Sequence, residues 1–205
     1  MRDRWFVRLR ALIIAAGPTL KRYGFPSGSK PKPLFHVDGE TILMRQVRLL
    51  KSANIKKITV ITGYKSEMIE KYVEENQLDL NLKHLKKWTD SLETVLLGLD
   101  ESDDILIIFG DVFLTQKGLN AILEERHPFV MSHYKKNTGY NMFKFDKEKV
   151  KLLRDLRKFT IQHTSPGMSL LYTLVNLFTK NDAVSVPHHG TRDIDYFRET
   201  DERKP

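Results

Sequence analysis

The chain of 205 residues contains no cysteine. That excludes a disulfide framework, thiolate zinc ligation and a cysteine nucleophile. No apolar run approaches the ~18 residues that a membrane-spanning helix needs. The first residues, Met-Arg-Asp-Arg-Trp-Phe, contain no apolar h-region. A cleaved signal peptide is therefore not expected, and a cytoplasmic location is. Internal repeats, low-complexity tracts and long linkers are also missing, so one domain over residues 1–205 is expected. What is present is globular: hydrophobic residues make up 40% of the chain, enough to bury a substantial core.

Acidic residues are the minority, with 26 Asp+Glu against 34 Lys+Arg and a net charge of +8. The excess is local. Residues 1–35 hold eight bases (Arg2, Arg4, Arg8, Arg10, Lys21, Arg22, Lys30, Lys32) and one acid, Asp3, and the remainder is close to neutral. A basic surface spread along a face would suggest nucleic acid. A local concentration suggests a site for something anionic, or simply a solvated N-terminal arm.

Apolar patterning gives the architecture. Arg10–Ala16 is a short apolar run ending at Gly17 and reads as a buried parallel strand. Residues 17–33 carry three Gly, four Pro and four Lys/Arg, too broken for a regular element and long enough to suggest a functional loop. Thr41–Ala53 suits an amphipathic helix, with Ile42, Leu43, Val47, Leu49 and Leu50 inward. Lys57–Thr62 is a second strand. Ser66–Asn76 is helical, with Ser66 as candidate N-cap and Met68, Ile69, Tyr72 and Val73 inward. Leu80–His84 is a weak strand, Leu92–Leu99 a helix and Ile105–Phe109 a third strong strand. A helix at Gln116–Glu125 follows, then strands at Phe129–Tyr134 and Tyr140–Phe145, a helix at Met168–Phe178 and a strand at Ala183–Pro187. Strands alternating with helices predict a Rossmann-like three-layer α/β/α fold around a mostly parallel mixed sheet.

Three constellations could carry chemistry. The first is the loop from Gly17-Pro18-Thr19-Leu20-Lys21-Arg22 to Lys30-Pro31-Lys32-Pro33-Leu34. In an open α/β sheet, ligands bind outside the carboxyl ends of the strands. A small-residue turn there exposes backbone N–H groups, and basic side chains beside it complete an anion cradle. The spacing matches neither a P-loop nor a dinucleotide fingerprint: Gly24 and Gly28 are one residue too close, and Thr19 stands where a second glycine would be. The second is Phe109-Gly110-Asp111, a carboxylate at the end of a buried strand. Beside bound phosphates it needs an intervening cation, and Mg²⁺ takes one or two carboxylates plus phosphates. Taken alone, Gly-Asp is also a common strand-ending turn. The third is Asp193-Ile194-Asp195, whose carboxylates share one face if extended. The same pair could instead be the acidic start of a helix over 196–202.

In this order the pieces resemble the sugar-phosphate nucleotidylyltransferases. Ala-Leu-Ile-Ile-Ala-Ala-Gly (11–17), PKPL (31–34), Val37, Gly39 and Ile42-Leu43 resemble that family's opening, L-A-A-G-x-G-[ST]-R-[LM] followed by P-K-P-L, V and G-x-P-[IL]. ILIIFGD (105–111) is similar to the strand that ends in the family's first metal aspartate. Asn137 to Phe143 is similar to its N-x-G-x-Y-x-F segment, and 193–202 to its D-[IV]-D-T-P-E-D segment. Trp88–Leu99 stands where the family recognises the base, but it lacks the Gly-Thr-Ala pattern, which leaves the base open. In size the chain is closest to the small members acting on alcohol or sugar phosphates.

The resemblance implies an NMP transfer from an NTP onto a sugar 1-phosphate or small alcohol phosphate, with release of pyrophosphate and with Mg²⁺ as cofactor. It implies catalytic roles for Lys32, Lys21 and Arg22. Nucleotide contacts would come from Ala15, Ala16, Gly17, Thr19, Lys21, Ser91 and Asp111, and acceptor contacts from Asn137 and Gly139. Asp111 and Asp195 would hold the metal, with Asp193 as the alternative second ligand. Pro18 lacks an N–H and Thr19 replaces a glycine. Both favour an alternative, a catalytically inactive nucleotide-binding module. Neither a nucleic-acid nor a membrane partner is expected. Trp5 and Phe6 among four arginines form the one basic-aromatic cluster, which also reads as a solvated terminus. His188-His189 would point opposite ways on a strand and lack ligand-spaced partners, so they are not read as a metal site.

Overall fold

A computed structural model describes residues 9–18, 30–86, 91–99, 104–126, 129–135, 138–151, 184–187 and 192–193. Its frame is a seven-stranded sheet. The strands, in chain order, are β1 (Arg10–Ala15), β4 (Ile58–Thr62), β5 (Asn81–His84), β6 (Ile105–Phe109), β8 (Phe129–Lys135), β9 (Thr138–Phe145) and β10 (Val184–Pro187). Two short ribbons accompany the sheet among the described residues. One pairs β2 (His36–Val37) with β3 (Glu40–Thr41), and the other pairs β7 (Val112–Phe113) with β11 (Arg192–Asp193). The helices bounded within the described residues are α1 (Ile42–Ser52), α2 (Ser66–Glu75), α3 (Ser91–Gly98) and α4 (Gln116–Glu124), and residues 147–151 are also helical.

Across the sheet the order is β10-β8-β9-β6-β1-β4-β5. β1 lies parallel to both β4 and β6, β4 is parallel to β5, and β10 is parallel to β8. β9 runs antiparallel to both β6 and β8. The sheet is therefore mixed and mostly parallel, as expected.

The strand alternation sorts the core into two layers. Ala11, Ile13 and Ala15 of β1 point to the face covered by α1, α2 and α4, where Leu43, Val47, Ile69, Leu119 and Ile122 are buried. Leu12 and Ala16 point to the other face, with Val95 of α3, Phe143 and Phe145. Every residue of β4 is buried, which is why it carries no charged residue on either face, only Ile, Val and Thr.

Local chemistry accounts for the element ends. Thr41 caps α1, its hydroxyl accepting from the Met44 amide at 3.1 Å. The β2–β3 ribbon turns through Asp38 and Gly39, both at positive φ (52° and 83°), the backbone that an Asp-Gly hairpin turn favours.

Some expectations need correction. Ser66 is the first residue of α2 and not its cap, which is Lys65 at φ 51°. Met68 is exposed, because the inward stripe of this short helix centres on Ile69 and Val73. Arg10 is no solvated arm. It opens β1 and donates from Nη2 to the Gly98 carbonyl at 2.9 Å. The Met168–Phe178 helix, Trp5, Phe6 and His188-His189 lie outside the described residues. Among the described residues no helix is long and apolar enough to cross a membrane.

Lys144, on β9, shows what the core imposes on a charge. It donates to the Glu125 carbonyl. Burial pushes its ammonium from the ordinary 10.5 down to about 8, against the attraction of Glu125 and Asp104. Below pH 8 the folded state carries the whole penalty of the buried charge. Between about 8 and 10.5 the unfolded chain holds more protons than the folded one, so stability rises with pH. Urea unfolding of wild type and Lys144→Met at pH 7.5 and 10 should show wild type gaining on the variant at the higher pH. A constant difference would refute this.

Candidate functional site

Strand order reverses at β1: β4 follows on one side, and β6 returns on the other. Such a switch point opens a crevice at the carboxyl ends of the two strands. Two glycines let the strands close tightly below it. A Cβ on Gly63 would lie 2.8 Å from the Ala16 carbonyl oxygen, and one on Gly110 would lie 2.9 Å from the Ile14 carbonyl oxygen. In their place run two hydrogen bonds, Tyr64 N–H to Ala16 O at 3.0 Å and Gly110 N–H to Ile14 O at 2.8 Å. Ala15 and Ala16 are buried beneath the crevice, and Gly17 is exposed at its lip.

The PKPL segment forms a single 3-10 turn, Lys32–Leu34. Pro31 and Pro33 fix its entry and first step, and Pro33 and Leu34 are buried. This anchoring leaves the Lys32 side chain directed across the crevice. Its Nζ donates to Asp111 Oδ2 at 3.0 Å, with the two side chains 12% and 26% exposed. The ion pair opens onto a cleft of about 170 Å³ whose walls include Gly17, Pro18, Lys32, Thr94 and Asp111. That volume is below the usual range for a whole small-molecule site.

Of the loop bases, Lys32 reaches this cleft and Lys30 does not. The Lys30 ammonium sits 3.5 Å from His36 Nδ1 and 5.7 Å from the Phe35 ring centroid. Thr19, Lys21, Arg22, Asn137 and Asp195 lie outside the described residues. Ser91 is the first residue of α3. Gly139 is near the start of β9. Because β9 opposes β6, with Met142 across from Ile108, that start lies at the same sheet edge as Asp111.

Asp193 is extended, not helical, and pairs with Val112, the residue after Asp111. The C-terminal acidic segment thus returns to the first aspartate. Among the described residues no three His, Asp or Glu side chains converge as a metal cluster.

The family model of the MobA-like NTP transferase domain matches residues 11–186. The chain belongs to this family. As an NTP transferase domain it is of the nucleotidyltransferase class, and its matched region runs from β1 to β10. Among curated relatives, the bifunctional protein GlmU of Blochmanniella pennsylvanica is 28% identical over 123 residues, 57% of this chain and 26% of that protein. The CMP-5'-(3-aminopropyl)phosphonate synthase of Streptomyces rubellomurinus is 27% identical over 111 residues, 52% of this chain and 18% of that protein. The match thus spans about a quarter or less of these relatives' length. Solved structures share the fold. The CTP:phosphocholine cytidylyltransferase of Streptococcus pneumoniae superposes with a TM-score of 0.65 at 18% identity, over 95% of this chain and 98% of the other. The inositol-1-phosphate CTP transferase of T. maritima gives 0.66 at 15% identity, over 92% and 89%.

In this NTP transferase domain, two buried polar residues escaped sequence reasoning, one lining the cleft and one behind the Asp111 turn. Thr94 is fully buried and lines the cleft; its signal was its place inside the segment similar to a base-recognition stretch. Gln46 is a polar residue within the apolar stripe of α1, also fully buried. That interruption was visible in the sequence.

Proposed function

We propose that the protein transfers an NMP from an NTP to a sugar 1-phosphate or small alcohol phosphate and releases pyrophosphate. The observation that carries this is the meeting of Lys32 and Asp111, 79 positions apart, in one cleft at the carboxyl ends of β1 and β6. A phosphate oxygen of the acceptor attacks the α-phosphorus in line. The new P–O bond forms as the bond to the β-phosphate breaks, and pyrophosphate leaves with its electron pair. The nucleophile is already anionic, so positioning and charge neutralisation carry the rate. Lys32 offers its ammonium to the phosphates at the reacting centre. Gly17, Thr19, Lys21 and Arg22 form the cradle for the β- and γ-phosphates, Ala15, Ala16 and Ser91 contribute nucleotide contacts, and Asn137 and Gly139 border the acceptor.

The donor set fits Mg²⁺. Asp111 presents a partly exposed carboxylate to the cleft beside a cation, the chemistry of a site whose remaining ligands are phosphate oxygens and water. Asp111 would hold the ion together with Asp195 or Asp193. When bound it supplies neutralisation of the phosphate charge. A reaction that consumes NTP fits the cytoplasm, where we place the protein.

The test is pyrophosphate release with CTP, UTP, GTP, ATP and dTTP, each with Mg²⁺ and a panel of phosphorylated sugars and alcohols. Release with at least one pairing is expected. Pro18 favours a second reading, since it lines the cleft and has no N–H to give a phosphate. Triphosphate binding without release or exchange across the whole panel would make the protein an inactive nucleotide-binding module.

A further inference from the structure

The Asp111 turn is held by a residue that no sequence motif picks out. Gln46 lies in the middle of α1 and is fully buried among apolar neighbours. Its Nε2 donates to the Phe109 carbonyl at 2.9 Å and to the Val112 carbonyl at 2.7 Å. Those two carbonyls bracket Gly110-Asp111. Both amide hydrogens are therefore spent across the turn that carries the aspartate.

The other end of the amide is unsatisfied. Gln46 Oε1 is buried with no hydrogen-bond partner among the described residues. An apolar side chain of the same size would remove that unmet oxygen, but it would leave the Phe109 and Val112 carbonyls without this donor. What the glutamine does satisfy is the pair of carbonyls on either side of Gly110-Asp111, so both of its donated bonds go to the turn that carries the aspartate.

The same helix holds the rest of the segment. Arg45 donates from Nε to the Leu114 carbonyl at 2.7 Å and lies 4.1 Å from the Phe113 ring centroid. The start of α1 also holds the other half of the ion pair, since the Ile42 amide donates to the Phe35 carbonyl at 3.1 Å just after the Lys32 turn.

We infer that Gln46 is a positioning residue: its amide sets the Gly110-Asp111 turn and so aims the Asp111 carboxylate into the cleft. The inference rests on the reading above, in which Asp111 works on the substrate's phosphates. Removing a residue that orients a metal-binding carboxylate typically costs 10- to 100-fold in metal affinity.

The experiment compares wild type with Gln46→Met, which keeps the volume and loses both donors. Gln46→Glu keeps the volume and, when protonated, one donor; it carries the same measurements if the methionine variant does not fold. Two quantities are read. Amide hydrogen exchange without ligand should be at least ten times faster at Gly110, with Ile13 and Val60 unchanged. Mn²⁺ affinity, followed by its EPR signal with each of the five triphosphates and no acceptor, should fall about 10- to 100-fold per folded molecule. Equal exchange at Gly110 overturns the inference. So does faster exchange with unchanged Mn²⁺ affinity, which would make Gln46 a core residue and nothing more. A wild-type protein that takes up no Mn²⁺ with any triphosphate counts against the proposed function instead, and the exchange result alone then decides the clamp.

Discussion

Lys32→Ala is expected to lower the rate of pyrophosphate release by about 10²–10³-fold and to leave the protein folded. The turn does not depend on the lysine side chain. Pro33 and Leu34 are buried, and the turn's backbone bonds run from Leu34 N–H to Pro31 O at 2.9 Å and from Phe35 N–H to Lys32 O at 3.0 Å. Asp111 would lose its partner but is 26% exposed, so water can solvate it. Under the proposed function the lost charge acts where phosphate charge redistributes, so kcat should fall and not KM alone. Asp111→Asn should cost a similar factor. Because the two residues contact each other, the double variant should lose less than the product of the single losses. A pyrophosphate-coupled assay with circular dichroism as the control checks all three proteins. Near-wild-type turnover in either single variant would sink the assignment.

Gly110→Ala should be damaging in two separable ways. The new Cβ would lie 2.9 Å from the Ile14 carbonyl oxygen, 2.9 Å from Pro33 Cγ and 3.2 Å from Ala15 Cα. None of these belongs to a flexible side-chain end, so β6 or the turn must move. Overpacking of this kind costs about 1–3 kcal/mol, read as a lower urea midpoint. The shift also displaces Asp111 from Lys32, and a misplacement of about 1 Å at a reacting centre can cost about 10²-fold. Gly39→Ala is the control. No atom lies within 4 Å of the point its methyl group would occupy, and its φ of +83° brings only local strain of about 1 kcal/mol. It should lose stability and keep its rate per folded molecule. Equal loss of rate per folded molecule in both variants would mean that the Gly110 effect does not come from the placement of Asp111.

Much of the fold was legible because local forces wrote it. β1, β4 and β6 are buried on both faces, so each appears as an apolar run ending near a glycine. The stripe of α1 was readable from 3.6-residue spacing, and all five residues expected inward are buried. Directions and partners were harder. Nothing local distinguishes β9 as antiparallel, and that orientation decides which sheet edge Gly139 joins. The Asp38-Gly39 turn carried a readable hairpin signal that only the structure turned into an element.

The site was legible as parts rather than as contacts. Lys32, Asp111 and the acidic segment at 193 each stood out by residue type and position. The contact of Lys32 with Asp111 is tertiary, set by a switch in strand order, and a two-residue ribbon brings the backbone of Asp193 beside Val112. Gln46 shows the opposite limit. A lone amide in an apolar stripe has no meaning until the carbonyls it faces are known. Lys30 illustrates a third case, a base of the right type in the right loop whose backbone sends it to His36 instead.

The β7–β11 pairing also sets a schedule. Asp193 lies opposite Val112, yet the ribosome delivers it long after the central strands. At ~5–20 residues per second, the interval between these two positions is roughly 4–16 s of synthesis. During that time β1, β4 and β6 are already available to pair, while the acidic strand is still unmade. The strand that closes beside Asp111 is thus added only after the centre of the sheet has been synthesised.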